Sequence, residues 1–281
     1  MFFQNKDVQE TEVTVRPVHG WFQLRLGEVW EFRELMYFIV WRNIAVKYKQ
    51  TVMGVLWAIV QPLMAMVVFS IIFGKLAKLD SEGFPYEIFS YIGILPWQFF
   101  SSGVTGAASS IISSTSTISK TYFPRLILPI ADIFGGIVDF AIAFVILLGM
   151  MVFYDIPFTW RVLTIPIWLG VAFIIALAFG LWLSALNVHF RDIKFLVSFI
   201  MQFWQYATPV AYSSTLIPGK WLWLYRLNPM ATVIDGFRWA MLGSDLKDDW
   251  TVYISFGIVI LMLVSGLFYF QKMERNFADV A

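Results

Sequence analysis

No cysteine occurs in the 281 residues, which excludes a disulfide scaffold, a thiolate metal site and a cysteine nucleophile. Histidine is almost as scarce. His19 sits in a polar N-terminal stretch and His189 in a charged loop, placements that suit local hydrogen bonding rather than a metal pair or a base within a membrane. Charge is thin as well: 14% of the residues are Asp, Glu, Lys or Arg, against roughly 25% in a soluble domain. A P-loop is also missing. Its amides, lysine and hydroxyl must follow the pattern G-x-x-x-x-G-K-[ST] to cradle a Mg-nucleotide. The Gly-Lys pairs here, Gly74-Lys75 and Gly219-Lys220, run on into Leu76 and Trp221, with no glycine five residues upstream.

What is present is apolar surface: 59% hydrophobic residues and a mean hydropathy of +0.72. A helix rises about 1.5 Å per residue, so crossing a hydrocarbon core of about 30 Å takes roughly 20 predominantly apolar residues. Segments 52–73, 128–153, 162–186 and 251–270 meet that requirement clearly. Two more, 88–118 and 195–212, are less apolar; the first ends in a run of Ser, Thr and Gly that favours close helix contact. The expectation is an all-α integral membrane protein of six transmembrane helices. Lys and Arg concentrate in 1–50, 119–126, 187–194 and the C-terminal tail. By the positive-inside rule both termini then face the cytoplasm. The opening segment lacks the apolar core of a signal peptide, so the first span is expected to direct insertion.

Residues 1–26 read as an irregular cytoplasmic N-terminus. Residues 27–49 predict an amphipathic interface helix, with Glu28, Glu31, Glu34, Arg42 and Lys49 on one side and Val29, Phe32, Met36, Ile39 and Val40 on the other. Arg33 and Lys47 break this pattern. Residues 50–281 form the six-span domain. Between its second and third spans, Pro124 and Pro129 bound a short basic-apolar piece, a helix expected at about 119–127. The segment 213–243 is apolar enough to enter a membrane but too short to cross it, which predicts a re-entrant helical pair on the outer side, before the last span.

Asp132 and Asp139 lie seven apart, on nearly one face of the third span. Intramembrane carboxylates are candidates for proton relays. With no matching Lys, Arg or His inside the spans, bonding to hydroxyls or amides of a neighbouring helix is the better expectation. Aromatics are plentiful, at 28 Phe, 13 Trp and 11 Tyr, and an interfacial belt explains many of them. Tyr91, Trp97, Phe99 and Phe100, with Phe203, Trp204, Tyr206 and Tyr212, concentrate on the two more polar spans. Such rings stack on the apolar faces of sugars while Tyr and Trp also donate hydrogen bonds, so these eight are candidates to line a channel.

Four motifs together resemble the membrane subunits of ABC transporters that export bacterial polysaccharides: VWRNIAVKYKQTVMGVLWAIVQPL (40–63), KTYFPRLILP (120–129), NVHFRDIKFL (187–196) and TPVAYS with LNPMATVIDGFRWAMLG (208–243). The last looks more like the O-antigen branch than the teichoic-acid branch, with a capsule or teichoic-acid exporter as the alternative within the family. Asn43 and Ala45 depart from the family pattern, which often has Asp and a polar or basic residue there. The resemblance implies a homodimer in the bacterial inner membrane with two separate ABC ATPase subunits, which hold ATP and Mg; this chain is expected to be no enzyme, with no catalytic residue, metal or cofactor of its own. It implies an undecaprenyl-diphosphate-linked polysaccharide as substrate and the lipid bilayer, not nucleic acid, as surroundings. Lys120, Tyr122, Phe123 and Arg125 are then expected to couple to the ATPases. Glu31, Glu34, Arg42, Arg191 and Asp192 are expected at the cytoplasmic interface, and Asn228, Pro229, Asp235, Arg238 and Trp239 at an outer gate. An efflux permease for small amphiphiles shares this architecture. A membrane transferase would need a carboxylate or histidine centre, and the one carboxylate pair, Asp248-Asp249, reads as a solvated loop.

Overall fold

The computed structural model describes residues 26–49, 54–118, 122–190, 192–246 and 250–274. His19, Lys120, Arg191 and the Asp248-Asp249 pair lie outside them, as does nearly all of the N-terminal stretch. The described residues are all-helical, without strands. Helix α1 (Leu26–Glu31) leads into α2 (Arg33–Lys49). Helix α3 (Gly54–Phe69) runs on as a π-helical turn, Ser70–Leu76. Next come α4 (Tyr86–Ser113), the single turn α5 (Thr115–Ile118), α6 (Ile127–Phe153), and α7 (Ile165–His189), which is preceded by the 3-10 turn Trp160–Thr164. Helices α8 (Ile193–Ala207), α9 (Gly219–Arg226), α10 (Pro229–Leu242) and α11 (Trp250–Glu274) complete the chain.

Four helical stretches are long and apolar enough to cross a membrane: Gly54–Leu76, Ile127–Phe153, Trp160–His189 and Trp250–Glu274. They correspond to the four clear runs in the sequence. The two weaker runs take different forms. Helix α4, with 28 residues, has the length, and it is the centre of the fold. It is buried almost without break from Tyr86 to Trp97, between α6 and α7 with α3, α8 and α10 around it. Its Ser90 and Ser110 hydroxyls are accordingly polar without meeting lipid, being fully buried. Helix α8 has only 15 residues, about 22 Å. Pro209 disfavours the helical region for the residue before it, and Thr208 is accordingly extended at φ −108°, ψ 146°. The expected span 195–212 thus stops as a helix at Ala207 and bends.

Of the helix expected at 119–127, residues 119–121 lie outside the described residues. Helix α5 ends at Ile118, and 122–124 are not helical. Pro124 keeps Phe123 out of the helical region, and α6 begins only after a turn at 125–126.

Two apolar cores result. The larger surrounds α4. The smaller joins Ile39 of α2, Phe123, Leu126 and Ile127, the end of α7, and Phe270 and Met273 of α11. Val29, Phe32, Met36 and Val40 pack against this smaller core, so the apolar side expected of α1 and α2 faces the protein. Their outward surface carries Trp30, Tyr37, Phe38 and Trp41, all more than half exposed, beside Glu31 and Glu34.

Helix α10 is bounded by legible signals. Asn228 caps it by accepting the Met230 N–H at 3.1 Å, Pro229 opens its first turn, and Gly243 ends it in the left-handed region at φ 78°. With 14 residues it reaches only about 21 Å.

Candidate functional site

Helix α2 is fastened along α6 by polar side chains. The Asn43 amide donates to Asp132 Oδ1 at 2.6 Å. Four residues on, Lys47 Nζ lies 2.5 Å from Asp139 Oδ2, and the Tyr48 hydroxyl donates to the other oxygen of the same carboxylate. Both aspartates therefore have amide or hydroxyl partners from a neighbouring helix. The cation that meets Asp139, Lys47, comes from just before the first span rather than from within one. Burial, then the hydrogen bond and charge of Asp139, push the Tyr48 hydroxyl well above its ordinary range, so it stays a proton donor. The apparent flaw that Lys47 makes in the amphipathic pattern is this contact.

The Lys47–Asp139 pair stands at the margin of a cavity of about 440 Å³ enclosed by α3, α4 and α6. Trp57 and Gln61 come from α3, Trp97, Gln98 and Phe99 from α4, Phe140 from α6, and Gln205 from α8. Ser101, Ser102 and Thr105 complete the α4 wall. The Ser102 and Thr105 hydroxyls donate to the carbonyls of Phe99 and Ser101, at 3.2 and 2.8 Å. Their protons are used within the helix, which leaves their oxygen lone pairs as acceptors. Flat aromatic walls with amides and hydroxyls between them can stack on a sugar ring and bond its hydroxyls.

The eight channel candidates divide. Trp97 and Phe99 line the cavity, and Phe99 meets Phe140 edge-on at 6.2 Å. Trp97, Phe100 and Trp204 form, with Phe179, an aromatic cluster with centroids 4.9 to 6.3 Å apart. It joins α4, α7 and α8. Tyr91 is wholly buried, its hydroxyl on the Ala143 carbonyl at 3.1 Å. Phe203 and Tyr206 are instead more than half exposed. They continue a stripe with Phe195 and Phe199, since α8 buries only Val197 and Met201. Tyr212 lies beyond the helix and donates to the Tyr206 carbonyl.

At the end of the molecule shared by Leu26 and Glu274, Arg125 closes the last turn of α11. Its backbone N–H donates to Glu274 Oε1 at 2.9 Å and its guanidinium to the Glu274 carbonyl, as suits a cation at a helix C-terminus. Phe123 fills the smaller core, while Tyr122 is exposed. Glu31, Glu34 and Asp192 are exposed, and Arg42 is half-buried, donating to Asn43 Oδ1 at 3.3 Å.

At the far end, Arg238 is 1% exposed. It donates to the carbonyls of Val210 and Tyr212, each at 3.1 Å, and lies 3.8 Å from the Phe89 ring centroid. Gly93 allows this: a Cβ there would stand 2.7 Å from the Val210 carbonyl oxygen. Asn228 Nδ2 donates to Thr208 Oγ1 at 2.8 Å, tying the end of α8 to the start of α10. Pro229 is buried, Asp235 lies 4.0 Å from Arg238, and Trp239 is flanked by Trp160 and by the Arg161 guanidinium, 5.0 Å from its centroid. Sequence reasoning missed Lys47, Trp57 and Gln61; the i, i+4 placement of Asn43 and Lys47 opposite two aspartates on one helix face was the available signal.

Four helices long and apolar enough to cross a membrane define a multi-pass membrane protein. The chain matches the ABC-2 type transporter family over residues 34–242, and it belongs to that family of transport membrane subunits. It is 30% identical over 253 residues to the O-antigen export system permease protein RfbA of Klebsiella pneumoniae, covering 88% of this chain and 95% of the relative. The protein of the same name from Myxococcus xanthus is 26% identical, covering 90% and 97%. The inner membrane transport permease YadH of Escherichia coli K12 is 27% identical, covering 74% and 83%.

Proposed function

We propose that this chain is the permease subunit of an ATP-driven exporter that moves an undecaprenyl-diphosphate-linked, O-antigen-like polysaccharide across the bacterial inner membrane. The likeness to O-antigen export permeases over nearly the whole chain carries this reading. The cavity supports it, because rings from Trp57, Trp97, Phe99 and Phe140 alternating with amides and hydroxyls suit a sugar chain better than an apolar amphiphile. In this reading α4 and α8 complete six crossings, α4 shielded by its neighbours and α8 extended by the bend after Thr208. Both termini are cytoplasmic. Helices α9 and α10 form the re-entrant pair at the outer side, with Arg238 and Asn228 holding the bend beneath them.

The exposed stripe of α8 faces a second copy and, with it, encloses the channel. Two ABC ATPase subunits, carrying ATP and Mg, dock near Tyr122 and the Arg125–Glu274 junction, and their movement reaches the cavity through α2 and its contacts with α6. The outward aromatics of α1 and α2 rest in the membrane interface. The test is export itself. Deletion of the gene should trap undecaprenyl-linked glycan on the cytoplasmic side, and the wild-type chain should restore export. Replacing Trp97 and Gln61 together by Ala should reduce export without loss of ATPase assembly, and normal export by that variant would refute the cavity's role.

A further inference from the structure

Where α10 ends, a second cavity of about 360 Å³ opens between the turn at 82–84, the turn at 214–215 and the segment 242–245. Its lining differs in kind from that of the first. Glu82, Asp235 and Asp245 supply three carboxylates, and Ser214, Thr215 and Ser244 three hydroxyls, around the one guanidinium of Arg238. The terminal nitrogens of Arg238 are engaged on the Val210 and Tyr212 carbonyls, whereas its buried Nε has no hydrogen-bond partner. The Ser244 hydroxyl oxygen is likewise buried and without one.

The wall is held in place at a conformational cost. Glu82 adopts φ 59°, in the left-handed region that side chains with a Cβ rarely occupy. Asp80 accepts its N–H at 3.2 Å, and its carboxylate accepts the Ser213 hydroxyl. Backbone strain kept in a cavity wall points to use of that wall.

The charge selects the class of ligand. Three carboxylates outnumber the Arg238 guanidinium and the Arg161 guanidinium, which reaches the rim at the Gly243 carbonyl, 3.4 Å away, and that balance disfavours phosphate, diphosphate and uronic acids. Among the described residues, no group of three or more His, Cys, Asp and Glu side chains is arranged to hold a metal ion. Carboxylates spread around a wide cavity accept O–H groups at separate points, and hydroxyls between them donate or accept as required. Neighbouring hydroxyls of a neutral sugar ring have that pattern. We propose that the cavity lined by Glu82, Asp235, Asp245 and Arg238 is a second saccharide site, taking one uncharged sugar unit of the glycan as it leaves the protein; this rests on the export reading above.

The absence of native cysteine permits a local probe. Leu246→Cys, beside the cavity, is labelled with an environment-sensitive fluorophore in the full chain, in lipid nanodiscs. It is titrated with methyl α-D-mannopyranoside and methyl β-D-galactopyranoside, with glucose 6-phosphate as the charged control. At least one neutral glycoside should change the signal, and Asp245→Asn or Thr215→Ala, both at exposed positions, should raise the midpoint about tenfold. The proposal is overturned if no neutral glycoside is sensed, if neither substitution moves the midpoint, or if glucose 6-phosphate binds more tightly. It is also overturned if calcium chloride alone gives the Asp245-dependent change, which would make this a cation site. The export reading is judged separately by glycan accumulation in the deletion strain: normal accumulation and rescue with no Asp245-dependent binding overturn this site alone.

Discussion

At the scale of single residues, the fastening of α2 to α6 shows how magnitudes rank contacts that look alike. Lys47 is 55% exposed in its side chain, so water and salt screen its ion pair with Asp139 to about 0.5 kcal/mol. Tyr48 donates a hydrogen bond to the same carboxylate from a more buried position, and such a bond to a charged acceptor contributes about 1.5–3 kcal/mol. Hydrogen exchange over α2 should therefore accelerate more in Tyr48→Phe than in Lys47→Ala, and most in Asp139→Ala, which removes both partners' acceptor. A larger effect of Lys47→Ala than of Tyr48→Phe would show that the ion pair dominates. Gly93 gives a second outcome at this scale. A methyl group in Gly93→Ala meets the Val210 carbonyl oxygen, backbone that cannot yield by a rotamer change, so a loss of about 1–3 kcal/mol in thermal stability is expected. Phe123→Ala, in the smaller core, should cost about 3–5 kcal/mol.

At the scale of elements, the sequence was most legible where lipid itself does the selecting. Segments 52–73, 128–153, 162–186 and 251–270 are apolar over their full length because the bilayer tolerates little else, and the corresponding helices are α3, α6, α7 and α11. Where protein replaces lipid around a helix, that constraint relaxes. Helix α4 could keep Ser90 and Ser110 because its neighbours cover them, and Ser101, Ser102 and Thr105 because they face the cavity, so its hydropathy understated its central position. The same relaxation hid which aromatics pack and which face outward. Tyr91 and Phe203 look alike in composition, yet one is sealed under α6 and the other is exposed on α8. Only the three-dimensional arrangement of helices separates them. The caps of α10 were legible as Asn228, Pro229 and Gly243, whereas Lys47 was not, since its partner Asp139 is 92 residues away. The outward stripe of α8 carries its own expected outcome: single cysteines at Phe199 or Phe203 should cross-link two copies in membranes, and a cysteine at the buried Val197 should not.

At the scale of the whole molecule, the two ends have distinct chemistry. One gathers both described chain ends, the smaller apolar core and the Arg125–Glu274 contact; the other gathers the acidic cavity, the short helices and buried Arg238. A cysteine-free chain makes the orientation directly measurable, since single cysteines at Thr215 and Tyr122 should react with an impermeant maleimide from opposite faces, Thr215 from outside. Labelling of both from the same face would contradict the six-span reading, and labelling of Thr215 from inside with Tyr122 from outside would invert it. The decisive measurement is the fate of lipid-linked glycan in cells depleted of this chain. Undecaprenyl-diphosphate-linked polysaccharide should accumulate on the cytoplasmic side while the exported polymer falls, with both reversed by the wild-type gene. Unchanged export, with no lipid-linked glycan retained, would contradict the assignment of this permease to polysaccharide export.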